Sequence, residues 1–150
     1  AAHHYFAKSL HEFAWQLLRK LDRTLDEDEL MLNAAHASVY HAQQIGRVVQ
    51  QQRGEWLIAR VNTVLGRTDA ALHHARRCLN ISEQACEEVE DVDCAYAFEA
   101  MARANALAGN REVASRYFAA AREVGQVIDN DEDREIFLKD FQSGNWFNLQ

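Results

Sequence analysis

The stretch Ala59-Arg60-Val61-Asn62-Thr63-Val64-Leu65-Gly66 returns as Ala102-Arg103-Ala104-Asn105-Ala106-Leu107-Ala108-Gly109. Ala, Arg, Asn and Gly fall in register, and the two copies lie 43 residues apart. Five residues beyond each glycine an alanine recurs, as Ala71 and Ala114. Glycine at the end of a helical run supplies the left-handed residue that stops a helix. Small side chains on the flanking runs let two helices approach closely. Each copy therefore predicts a unit of helix, glycine turn and helix.

The same periodicity extends outward. Phe6, Leu10, Phe13, Ala14, Leu17 and Leu21 lie three or four apart, the spacing of one helix face, and this run ends near Asp22. Thr24 and Glu27 have capping-box spacing, and Asp26, Glu27, Asp28 and Glu29 crowd the first turn, where the helix dipole favours carboxylates. A second helix is therefore predicted from Thr24 to Gly46. A third covers 49–65. A fourth runs from Asp69 into the acidic stretch Glu87, Glu88, Glu90, Asp91 and Asp93. A fifth spans 93–108 and a sixth 111–128. A seventh follows Asp129-Asn130 and carries Ile136, Phe137 and Phe141. The chain then passes Ser143-Gly144 to an apolar tail of Trp146, Phe147 and Leu149. No stretch alternates as a strand would. The 150 residues contain no proline, which breaks helix interiors. The prediction is one all-α domain over 1–150, with a first hairpin at 1–46, units at 49–88 and 93–128, and a capping helix with tail at 131–150.

Composition narrows the function classes. Hydrophobic residues at 48% and charged residues at 26% suit a globular chain rather than a disordered one. Against 16 basic side chains stand 23 acidic ones, for a net charge of −7. Phosphate backbones and anionic membrane surfaces are both bound by clustered Lys and Arg, so neither nucleic acid nor membrane is expected as a partner. Neither a long apolar run nor a signal peptide is seen, which predicts no insertion or export. Cys78, Cys86 and Cys94 are odd in number and form no C-x-x-C, as expected of reduced thiols in the cytoplasm.

The repeated units resemble the tetratricopeptide family. Ala59 and Ala102 match its small residue midway in the first helix, Gly66 and Gly109 its turn, and Ala71 and Ala114 its alanine early in the second helix. Phe118 and Ala121 match later positions that Ala75 and Cys78 replace in the earlier unit. Phe98 matches the family's early aromatic, where Glu55 stands 43 residues before it. The closing proline is missing from both units, and the period exceeds the usual ~34 residues. The resemblance is good over about residues 52–125. Segments around Ala34–Tyr40 and Arg53–Trp56 are similar to those of bacterial repeat proteins without an assigned function. The resemblance implies a right-handed superhelix of about three antiparallel hairpins whose concave face binds a protein or peptide.

Carried onto this chain, the family's groove positions are Arg53, Trp56, Arg60 and Thr63 in one unit and Tyr96, Glu99 and Arg103 in the other. Trp56, Arg60 and Thr63 share a helix face, as do Tyr96, Glu99 and Arg103. Arg60 and Arg103 beside Trp and Tyr would suit a carboxylate, so an acidic peptide is the expected occupant. The competing reading has Arg60 paired internally with Glu99 or another acid and Trp56 in the core. A second polar cluster, His36, Tyr40, His41 and His74, would serve an alternative reading as a small-molecule- or metal-binding regulatory domain, set against helix-packing histidines that make one hydrogen bond each. His36 and His41 are five apart, about 140° around the axis, so they do not converge on a metal. His74 and Cys78 offer two ligands where zinc needs three or four. No phosphate loop and no Glu-x-x-His pair occurs, so neither an enzyme nor a bound cofactor or metal is expected. The apolar tail should pack on its own chain, with a homodimer through it as the alternative.

Overall fold

Local chemistry sets the helix ends. The Thr24 hydroxyl accepts from the Glu27 amide at 3.1 Å while the Glu27 carboxylate accepts from the Thr24 amide at 3.0 Å, closing the expected capping box. Gly46 and Gly109 end their helices at φ 77° and 82°, where a side chain would be strained. A computed structural model describes residues 1–149, and these form seven helices without a strand. They are α1 (Ala2–Arg19), α2 (Leu25–Ile45), α3 (Val48–Val64), α4 (Thr68–Gln84), α5 (Asp91–Ala108), α6 (Arg111–Gln126) and α7 (Asp131–Gln142). Among the described residues, no helix is long and apolar enough to cross a membrane.

One expectation needs correction. The fourth helix stops at Gln84 instead of running into the acidic stretch. Carboxylates at a helix C-terminus oppose its dipole, whereas at an N-terminus they support it. Glu90, Asp91 and Asp93 therefore open α5, where the Asp93 side chain accepts from the Glu90 amide at 3.1 Å. Within α3, Gly54 lies buried. A Cβ there would sit 2.7 Å from Val39 Cγ2, so glycine sets how closely α2 and α3 pack.

Helices α1 and α2, α3 and α4, and α5 and α6 pack as successive hairpins, joined by contacts of α2 with α3 and of α4 with α5. The odd-numbered helices also touch in sequence, α1 to α3, α3 to α5 and α5 to α7. Positions 43 residues apart make like bonds. Asn62 donates to the Ile58 carbonyl and Asn105 to that of Met101, both at 2.8 Å. Arg67 N and Asn110 N then reach the Asn62 and Asn105 carbonyls, both at 2.9 Å.

The larger core gathers Leu17, Met31, Leu57, Ile58, Val61, Leu79 and Met101. A second, around Ile128, Phe137, Phe141 and Trp146, joins α5, α6, α7 and the tail. Trp146 is buried on its own chain, edge-on to Phe118 at 4.8 Å and Phe141 at 5.2 Å, and its indole donates to the Phe141 carbonyl at 2.9 Å. Of the cysteines, Cys78 is buried in the larger core, and burial pushes its thiol well above the ordinary value.

Candidate functional site

The row α1–α3–α5–α7 encloses an open cleft of about 400 Å³. Each helix contributes residues at helical spacing, so each turns one face inward. These are His11, Trp15 and Arg19 from α1, Gln52, Arg53 and Trp56 from α3, and Val92, Asp93 and Tyr96 from α5, with Glu90 just before it. Asp133, Ile136 and Asp140 of α7 form the far wall.

Aromatic rings line the cleft. Trp15 stacks on Trp56 at 5.3 Å, Trp56 meets Tyr96 edge-on at 5.2 Å, and the Arg19 guanidinium lies 5.2 Å from the Trp15 ring. Arg53 forks onto Asp93, with Nε to Oδ1 at 2.8 Å and Nη2 to Oδ2 at 3.2 Å. The Tyr96 hydroxyl donates to Asp140 Oδ2 at 2.7 Å. Burial and the Asp140 carboxylate push the Tyr96 phenol far up, so it remains a donor. Burial and the nearby Arg53 charge hold His11 below its ordinary value, which leaves it neutral near pH 7.

Of the groove residues expected from the sequence, Arg53, Trp56 and Tyr96 line this cleft, and Arg60, Thr63, Glu99 and Arg103 do not. Thr63 is buried and donates to the Ala59 carbonyl of its own helix at 2.9 Å. Glu99 is 1% exposed and accepts from the Trp56 indole and from Arg103 Nε, both at 2.8 Å. Arg60 Nη1 stands 4.0 Å from the same carboxylate. Arg103, also 1% exposed, lies 3.9 Å from the Trp146 ring and donates to the carbonyls of Asp140 at 3.0 Å, Ser143 at 2.9 Å and Asn145 at 3.3 Å. Its charge thus closes the negative end of α7. Burial draws the Arg103 guanidinium down to about 10, against the pull of Glu99. The paired arginines expected to seat a partner's carboxylate are met by Glu99, and Arg103 also by the tail.

Sequence reasoning missed His11, Trp15, Arg19, Asp133, Ile136 and Asp140. Their four- and three-residue spacings are visible on α1 and α7, but nothing local says that these helices join the same row.

The histidine cluster divides in two. His36 and His74 meet edge-on at 5.7 Å, and Glu55 accepts from His74 Nδ1 at 2.6 Å and from Arg77 Nε at 3.0 Å. This polar contact stands 43 residues before Phe98 and Tyr117, which stack at 6.2 Å. Tyr40 and His41 instead turn towards α1, where the His41 and His3 Nδ1 atoms are 2.9 Å apart. Among the described residues, no three His, Cys, Asp or Glu side chains are grouped as metal ligands would be.

These groups predict an acid response. Burial lowers His11 and His36 from 6.5, with Arg53 and His74 respectively adding to it. The unfolded chain therefore binds those protons first, and stability falls as pH drops below about 6.5. Burial pulls Glu55 up, but the hydrogen bonds from His74 and Arg77 outweigh it and hold the group below 4.5. Its stabilisation is complete above about pH 4.5 and is lost as pH falls through its lowered value. Melting temperatures from pH 7.5 to 3.5 should decline in these two stages, and a flat profile above pH 5 would contradict the histidine part.

The chain matches no protein-family model, no curated protein and no solved structure.

Proposed function

We propose that this chain is a protein-interaction module of the tetratricopeptide-like kind. It works in the cytoplasm and holds an extended peptide segment of a partner along the α1–α3–α5–α7 face. One observation carries the reading: four successive odd-numbered helices each turn residues into a single cleft lined by Trp15, Trp56 and Tyr96. An open cleft that combines aromatic surface with placed polar and charged groups suits recognition, and helical-repeat proteins bind on such faces. Binding is favoured over catalysis because several of the polar groups here are already engaged with one another. Arg53 is committed to Asp93 and Tyr96 to Asp140, and no nucleophile beside a base lines the cleft.

Charge reversal at Arg60 and Arg103 is a poor test, since Arg103 is buried and its loss would damage the fold. Ile136 is better, being 50% exposed on the cleft wall. Random dodecapeptides should be selected on the full chain and the enriched ones titrated by fluorescence anisotropy. Ile136→Arg places a long cation between Asp133 and Asp140 and should abolish binding with unchanged circular dichroism. Peptides that bind the variant as tightly as the wild type would remove the cleft from the interaction, and no enrichment would remove peptide binding altogether.

A further inference from the structure

Resting on that peptide-binding reading, we propose that the cleft takes an arginine side chain of the partner segment, its guanidinium held between the aromatic floor and the carboxylates of Asp133 and Asp140. The charges lining the cleft decide the sign of the occupant. Asp93 neutralises Arg53 through a two-point contact, and Glu90 lies 3.5 Å from the same guanidinium. Burial keeps His11 neutral. That leaves Arg19 on the α1 lip and two carboxylates on the α7 wall. Among the described residues, Asp133 makes no ion pair, and the Asp140 carboxylate accepts only the Tyr96 hydroxyl, at Oδ2. The two acids lie seven residues apart, about two turns, and so share one face of α7. Arg19 at the opposite lip repels a cation towards that wall.

Arginine fits better than lysine for physical reasons. A guanidinium is planar and weakly hydrated, so it can lie flat on an indole while its edge forks onto a carboxylate. A lysine ammonium is strongly hydrated and presents no fork. Ile136, between the two acids, offers apolar surface for the methylene stem. The fold itself places guanidiniums over indoles twice, Arg103 at 3.9 Å from Trp146 and Arg19 at 5.2 Å from Trp15.

The test selects random dodecapeptides on the full chain and on the D133N/D140N variant. Asparagine keeps a carbonyl oxygen for Tyr96, so the fold should be retained, as circular dichroism will verify. Peptides enriched on the wild type are expected to contain arginine. Their affinity should fall roughly tenfold on the variant, two half-buried charge contacts being lost, and several-fold when the peptide arginine becomes lysine. Enriched peptides without arginine, or equal affinity for variant and wild type, would overturn the arginine assignment and leave the peptide-binding reading standing. Failure to enrich any peptide would overturn both.

Discussion

Arg103→Met is expected to destabilise the chain by about 3–5 kcal/mol, the usual result of removing one partner from a buried ion pair. Glu99, its side chain 2% exposed, would keep its charge with only the Trp56 indole and the more distant Arg60 for company. The carbonyls of Asp140, Ser143 and Asn145 would lose their donor at the same time. For a chain of this size the melting temperature should fall by roughly 10 °C. Hydrogen exchange should rise most across residues 140–149, because Arg103 ties that segment to α5. Adding Glu99→Gln should recover part of the loss, since it removes the stranded charge while the side-chain oxygen still accepts from Trp56. A variant melting within about 2 °C of the wild type would show that other contacts hold the tail.

Phe137→Ala should cost a similar amount, about 3–5 kcal/mol, by the lost transfer of a buried ring and the cavity it leaves. The Phe137 ring is completely buried, 4.9 Å from Tyr96 and 5.6 Å from Phe141, and lies flush on Gly125, where even a Cβ would collide with it. Among the described helices, α7 packs only on α5 and α6, so the loss falls on a terminal element. The functional consequence follows directly. α7 supplies Asp133, Ile136 and Asp140 to the cleft, so peptide binding should disappear while most of the helical signal remains. Urea denaturation followed by far-ultraviolet dichroism, with binding measured in parallel, checks this. Full binding in the variant would mean that α7 is not a necessary wall.

The outcome at Arg60 and Arg103 shows where sequence reading stops. Both occupy the same position in matching segments and look alike from the sequence. In the structure both converge on Glu99, and both guanidiniums lie against Gly144 of the tail, with Arg60 Nη2 2.8 Å and Arg103 Nη1 3.2 Å from where a Cβ would stand. The tail that covers them lies 84 residues from Arg60 and 41 from Arg103 along the chain, a contact with no local trace. The competing reading pairs Arg60 with Glu99 or another acid; Arg60 stands 4.0 Å from Glu99, and Trp56 is both buried and cleft-lining. Glu55 was legible only as a missing aromatic. Its hydrogen bonds to His74 and Arg77 need the pairing of α3 with α4.

By itself the sequence determined that the chain is helical, where most helices begin and end, and that helices meet through glycine turns. Those features arise from interactions within a few residues: the Thr24–Glu27 box, the left-handed Gly46 and Gly109, and apolar positions three and four apart. Tertiary structure alone decided which charges face the cleft. Whether an arginine is free, or an aspartate unpaired, depends on groups brought together from helices far apart in the chain, as Arg53 is by Asp93, Tyr96 by Asp140 and Arg103 by the carbonyls of the tail.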